Sequence, residues 1–284
     1  AGPAAVRKGG VDQPVLAVPP SSFSRLDIDR IKRCPVQYYI ARVLGIPEPL
    51  EPAEEIEPRD VGGLAHELLH RLYREVDFRR NPPTYRELQE RMDDLFGSVF
   101  PEGLFPSREE ALARAILKKN LLACLRYDAR RFARGYRPLA ELMERELEFR
   151  LDDGPVLKGR IDRVDRTPDG EYVVLDYKTG AVPDARDHLE ERDFRQVQLA
   201  FYGLLFTRTH PGAVVRALSY FDLTRFSAEI PVVEGEEVPG YLERFERHLV
   251  HVIDGLHRGE LGLATDPQAC AFCPYPLVCR RGEP

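Results

Sequence analysis

The chain reads as an α/β fold in which a mixed central sheet is flanked by helices, with a helical insertion ahead of the sheet and a cysteine-rich tail behind it. Three observations carry this reading. First, residues 159–165 and 171–180 carry β-branched and apolar residues on either side of Thr167-Pro168-Asp169-Gly170, the signature of two strands joined by a tight turn. Second, Val173-Val174-Leu175 is apolar on both faces, as a central strand buried on two sides requires. Third, Leu64, Leu68 and Leu72 recur at four-residue spacing, with Leu69 and Tyr73 beside them, which is an amphipathic helix.

The elements follow in order. Ser22-Phe23-Ser24 offers an N-cap to a helix carrying Leu26, Ile28 and Ile31, and Cys34-Pro35 ends or redirects it. A short helix over 36–44 precedes a Pro- and Glu-rich loop over 46–58. Helices are expected over 60–76, 85–96 and 107–134, the last capped by Ser107 with Glu110 at capping-box spacing. Residues 77–140 therefore form the helical insertion. Residues 142–151 alternate, with Leu147, Phe149 and Leu151 on one face and Glu144, Glu146, Glu148 and Arg150 on the other, a half-solvated strand. After the hairpin come a loop through Pro183, a helix over 193–208, an antiparallel pair over 214–221 and 226–233, and a closing helix over 236–256.

Composition bounds the function. The 284 residues suffice for one large core, expected over 21–284, with 1–20 as linker. A chain that begins without Met suggests an excised piece, the terminal domain of something longer. No apolar run approaches the roughly 20 residues that span a bilayer, and no signal-peptide pattern opens the chain, so a cytoplasmic location without membrane contact is expected. A net charge of −6 argues against a protein that coats DNA regardless of sequence. Local basic clusters remain, over 71–80 and at Arg126, Arg130, Arg131, Arg134 and Arg137; they are solvated helix faces or phosphate contacts. There is no Walker motif, so any ATP-driven motor lies elsewhere.

Strand alternation puts Asp176 and Lys178 on one side, with Asp162 of the neighbouring strand within reach. Two carboxylates and a lysine at the end of a buried strand suit a divalent cation and an activated water beside a phosphodiester. On the helix after the hairpin, Gln198 and Tyr202 share a face. A rival chemistry is spelled by His66-Glu67-Leu68-Leu69-His70, the His-Glu-x-x-His pattern of zinc peptidases, for which Glu87 or Glu90 could supply the third ligand. Of five cysteines, Cys270-x2-Cys273-x5-Cys279 and the distant Cys34 offer four soft ligands to an iron–sulfur cluster or a structural zinc. Cys124, within a helical pattern, reads as a small buried hydrophobe.

Taken in order, Ser22-x-Ser24-x-Leu26, Cys34-Pro35-x-x-Tyr38, Gly62-x3-His66, Gly159-x-x-Asp162, Asp176-x-Lys178-Thr179-Gly180, Gln198-x3-Tyr202 and the cysteine trio resemble the RecB-like branch of the PD-(D/E)XK nucleases. More narrowly they resemble members with an iron–sulfur staple, such as AddB-type nuclease domains and the nucleases of CRISPR adaptation. The resemblance covers nearly the whole chain from Ser21, apart from the insertion. It implies a restriction-endonuclease-like core and a metal-dependent exonuclease that processes DNA ends in recombination or repair, leaving a 5′-phosphate. It further implies Mg²⁺ or Mn²⁺ on His66, Asp162, Asp176 and the Tyr177 carbonyl, with Lys178 orienting the attacking water. Gln198 and Tyr202 would position the lysine or the DNA backbone. Cys34, together with Cys270, Cys273 and Cys279 of the cysteine-rich segment 266–284, would hold a [4Fe–4S] cluster, and a helicase subunit or fused helicase domain would be the partner. Ile161 stands where the name-giving motif has proline, a substitution common in this branch, and His70 is an addition. Glu146 is a candidate accessory acid. A catalytically inactive fold that grips DNA or a helicase is a third reading, against which the intact Asp162, Asp176 and Lys178 weigh.

Overall fold

A computed structural model describes residues 4–6, 13–15, 20–48, 58–78, 81–100, 107–152, 154–183, 194, 196–224, 228–258, 268–271 and 273–279. Residues 49–57 of the loop expected over 46–58, Arg79 and Arg80, the helix start at Asp193 and the strand start at Phe226 lie outside these residues. Two compact units alternate along the sequence, one of residues 53–147 and 160–241, the other of 1–52, 148–159 and 242–284.

Helices of the first unit begin with α3, Pro58–Arg74. Next are α4, Tyr85–Val99, capped by Thr84 with Glu87 in a full capping box, and α5, Arg108–Ala133, where Ser107 Oγ accepts from the Glu110 amide. The sheet comprises β4 Arg137–Pro138, β7 Arg163–Arg166, β8 Tyr172–Lys178, β9 Val215–Asp222 and β10 Ala228–Glu234. Their order is β10-β9-β8-β7-β4, so β8 is central, as its doubly apolar run requires. β8 pairs antiparallel with β7 and parallel with β9, and the parallel step is bridged by α6, Gln198–Thr209. The β7–β8 turn closes with Gly170 N donating to the Thr167 carbonyl at 3.0 Å. Gly170 sits at φ +88°, a conformation that favours glycine.

Both faces of the sheet are covered. Val173, Leu175 and Tyr177 of β8 join Leu68, Leu69, Leu72, Leu121, Leu125 and Phe132 of α3 and α5 in one apolar cluster. On the other face, residues 199–206 of α6 are buried throughout, and Tyr172 meets Phe206 at 5.3 Å between ring centres. Beneath the first face lies a charged centre. Arg163 is fully buried, and five hydrogen bonds engage its guanidinium: two to Asp128, two to Asp165 and one to the Tyr177 hydroxyl. Arg131 reaches Asp165 at 3.0 Å and Glu229 at 3.2 Å. It is therefore neither a solvated surface charge nor a phosphate contact. Arg137 donates to the Phe132 and Tyr136 carbonyls near the C-terminus of α5.

In the second unit, Ser24 caps α1, Arg25–Arg33, in a reciprocal box with Asp27. α2, Pro35–Tyr38, continues as a wider π-type turn over Tyr39–Val43. β3, Ser22–Ser24, runs parallel to the first part of β6, Val156–Ile161. The terminal pieces are α8, Gln268–Ala271, and α9, Pro276–Cys279. Val36, Ile40 and Tyr275 form a small buried cluster with Cys34, Ala41, Cys273 and Cys279 packed against it. The Tyr275 hydroxyl donates to the Ile46 carbonyl at 2.9 Å, fastening the tail to the first segment. Within 1–20, Ala4–Val6 (β1) pairs antiparallel with Gln13–Val15 (β2).

β5, Arg145–Arg150, lies beside β6 in the β3-β6-β5 sheet, and α7, Glu237–His257, closes the chain of long helices. Two expectations are corrected here. The strand expected over 142–151 begins only at Arg145, because Leu142 belongs to a short 3₁₀ turn and Glu144 takes φ +51°. The stretch 159–165 is two strands, not one: the ladder breaks at Asp162, whose carbonyl accepts from Glu144 N at 3.1 Å.

Candidate active site

Four elements bring the site together. α3 supplies His66, the turn before β5 supplies Glu144, the break between β6 and β7 supplies Asp162, and the end of β8 supplies Asp176 and Lys178. α3 can approach β8 closely because Gly62 has no side chain: a Cβ there would lie 3.1 Å from Thr179 Oγ1. The imidazole of His66 then meets the Tyr177 ring edge-on at 5.2 Å.

His66 Nδ1 lies 3.0 Å from Glu144 Oε1 and 3.6 Å from Asp162 Oδ2. One ligand atom from each of these three residues falls within 4.8 Å of the others. Asp162 Oδ2 also accepts the Tyr177 amide at 2.9 Å, which fixes the carboxylate against β8. Burial lifts the Asp162 carboxyl well above its ordinary range, and the negative charge of Asp176 adds to the lift. At His66, burial opposes the imidazolium, but the Glu144 hydrogen bond and the Asp162, Glu144 and Asp176 charges outweigh it and raise its pKa.

Glu144 is half-buried and pairs with Arg160, and Asp176 pairs with Lys178, whereas among the described residues the buried Asp162 pairs with the imidazole of His66 alone. Oxygen donors with a single nitrogen fit a hard divalent cation, which would relieve the repulsion that raises Asp162. The donor set thus passes the chemical test for a Mg²⁺ or Mn²⁺ centre.

Beside it runs a second chain of contacts. Lys178 Nζ lies 2.6 Å from Asp176 Oδ2 and donates to Gln198 Oε1 at 2.7 Å, while Gln198 Nε2 donates back to Asp176 Oδ1. Gln198 opens α6, so the crossover helix delivers its amide directly to the acid and the lysine. The Lys178 ammonium also stands 5.0 Å from the Tyr220 ring centre. Tyr202, one turn further along α6, is buried and meets the ring of Phe201 at 6.4 Å.

Glu144 is the residue that sequence reasoning missed. Alternation assigns it to the solvent face with Glu146, yet it is Glu144 that turns inward, while Glu146 is exposed. The peptidase pattern on α3 does not assemble: Glu67 is exposed and bound to Arg71 Nε at 2.6 Å. Of the acids proposed as a third ligand, Glu87 caps α4 and Glu90 pairs with Arg86. Among the described residues, the ligand cluster takes up His66 without His70.

Cys34, Cys273 and Cys279 gather on one apolar cluster, and Cys270 is exposed. Cys124 is fully buried, as its place in a helical pattern suggests.

Against curated protein sequences nothing matches. Among solved structures, the "Crystal structure of SSO0001" is similar at 14% identity and a TM-score of 0.36, over 91% of this chain and 85% of that one. A family model described as the PD-(D/E)XK nuclease superfamily matches residues 22–280. With that match spanning nearly the whole chain, the chain belongs to the PD-(D/E)XK nuclease superfamily.

Proposed function

We propose that this chain is a Mg²⁺- or Mn²⁺-dependent deoxyribonuclease that acts as an exonuclease on DNA ends in recombination or repair. The observation that carries the proposal is the meeting of His66, Glu144 and Asp162 beside the Asp176–Lys178–Gln198 chain. His66, Asp162 and Asp176 would hold the cation, with Glu144 in place of the accessory role first given to Glu146. The Tyr177 carbonyl remains a candidate donor. A bound divalent cation supplies charge neutralisation at the phosphate and a water of lowered pKa.

The chain's own residues do the rest. Lys178, fixed by Asp176 and Gln198, presents an ammonium where negative charge grows on the phosphate oxygens and orients the attacking water. Gln198 restrains both partners, so the lysine keeps its aim as substrate enters. Asp162, fastened by the Tyr177 amide, keeps a rigid oxygen toward the cluster. Tyr202 is assigned to support of α6. In-line attack then leaves a 5′-phosphate.

Cys34, Cys270, Cys273 and Cys279 are assigned to a [4Fe–4S] staple, supported by the packing of three of them around Val36, Ile40 and Tyr275. A structural zinc is the rival occupant. A helicase, as fused domain or docked subunit, is the proposed partner. No helix among the described residues is long and apolar enough to cross a membrane.

The test is end-labelled linear DNA against closed circular DNA in Mn²⁺, with casein and Zn²⁺ in parallel. Loss of linear DNA alone, abolished by Asp176→Ala and indifferent to Glu67→Ala, is the expected outcome. Cutting of the circle would replace the exonuclease assignment with an endonuclease. DNA binding without cleavage would point to an inactive fold.

A further inference from the structure

Among the described residues, two side chains of fixed positive charge form ion pairs with the acids of the site, Lys178 and Arg160. Lys178 is committed to Asp176 and Gln198. Arg160 is placed differently. It stands two residues before Asp162 at the end of β6, and its side chain is 69% exposed. Only its Nε is engaged, 3.1 Å from Glu144 Oε2, while the other oxygen of Glu144 faces His66 at 3.0 Å. Its two Nη groups make no hydrogen bond among the described residues. Glu144 therefore holds the stem of the guanidinium against the cation cluster and leaves the outer edge open to solvent.

We propose that Arg160 is a substrate-contacting residue whose Nη edge binds a DNA backbone phosphate adjacent to the one being cleaved. Deepening the nuclease reading, this assignment rests on it. The physical argument is one of charge and shape. A site lined by His66, Glu144, Asp162 and Asp176, in a chain of net charge −6, repels a polyanion unless a cation stands at its mouth. An arginine tethered through Nε keeps two parallel N–H groups, the geometry that grips two phosphate oxygens at once. The tether also limits the orientations lost on binding, so the contact forms with less ordering than a free surface arginine needs. Lysine in its place would keep the charge without the fork.

Fluorescence anisotropy with a DNA duplex, across a potassium chloride series and in the Asp176→Asn background so that no strand is cut, tests this. Arg160→Ala is expected to weaken binding about tenfold and to reduce the slope of log affinity against log salt by about 0.9, one phosphate contact. Arg160→Lys should restore most of the slope and part of the affinity. Arg86→Ala removes the same charge from an arginine on α4 that is 88% exposed, and should change neither quantity. Titration of Mn²⁺ into Arg160→Ala should give an unchanged affinity. Unaltered DNA binding and slope, or a loss of Mn²⁺ affinity with DNA binding intact, would overturn the proposal and leave Arg160 as a support for Glu144. If the wild type cleaves no DNA with any cation, the nuclease reading falls, and the anisotropy still reports on Arg160 separately.

Discussion

Replacing Arg163 by methionine tests the buried charge centre most directly. Arg163, Asp128 and Asp165 are each fully buried, so solvent screens none of their interactions. The guanidinium reaches Asp128 at 2.6 and 3.0 Å, Asp165 at 2.6 and 2.8 Å, and the Tyr177 hydroxyl at 3.3 Å. Methionine fills much of the volume but leaves Asp128 held by the Tyr73 hydroxyl and Asp165 held by Arg131. Removing one partner of a buried pair costs about 3–5 kcal/mol, chiefly because the other charge is left uncompensated. Arg131 still meets one of the two acids closely, so the lower half of that range is expected. The assay is equilibrium urea unfolding with the midpoint shifted at constant slope. Adding Asp128→Leu to Arg163→Met should recover part of the loss, since the double change removes a stranded charge. A loss below about 1 kcal/mol, or one erased by 0.5 M salt, is the behaviour of an exposed ion pair and would refute the reasoning.

Three further outcomes are expected. The raised Asp162 carboxyl contributes stability below its ordinary value of 3.8 and loses it as pH climbs through the raised one; His66 does the same from 6.5 upward. In EDTA the protein should therefore lose stability relative to Asp162→Asn as pH rises above 3.8, and Mn²⁺ should restore more at the upper end; thermal melts showing the reverse trend would contradict the assigned shifts. Glu144→Gln should raise the Mn²⁺ needed for half-maximal cleavage by at least about tenfold, whereas Glu146→Gln should leave it unmoved. Cys34→Ser should remove the bound iron and the brown colour, measured by metal analysis and visible absorption, while Cys124→Ser should leave both intact; a colourless wild type containing zinc would replace the iron–sulfur assignment.

The elements of the fold were legible wherever local pattern and tertiary role agree. Val173-Val174-Leu175 announced a strand with neighbours on both sides, and Ser24 and Ser107 sit where helices need their first amides satisfied. Asp176 and Lys178 were legible for a similar reason, since strand alternation puts both on one side, whereas the role of Gln198 came only from the family resemblance. Glu144 was not, because its neighbours alternate perfectly and nothing in an alternating run signals that one glutamate takes φ +51°. That conformation is imposed from a distance, by the Asp162 carbonyl accepting its amide. Arg131 and Arg163 were hidden by the opposite expectation. Arginine reads as surface, and only the arrival of Asp128 at Arg163, and of Asp165 and Glu229 at Arg131, from other elements makes their burial tolerable.

The side chains of the site come from sequence neighbourhoods of very different reach. Asp176 and Gln198 are 22 positions apart and belong to one crossover, whereas His66 and Glu144 are separated by 78. During synthesis the lysine's setting is complete as soon as the sheet and its crossover helix exist. The imidazole is placed by the docking of Leu68 and Leu72 of its helix, a long-range contact of the kind expected to form more slowly. If the proposed cation binds there, its capture reports finished folding, and a loosened leucine far from any phosphate would be felt first as a thirst for more metal.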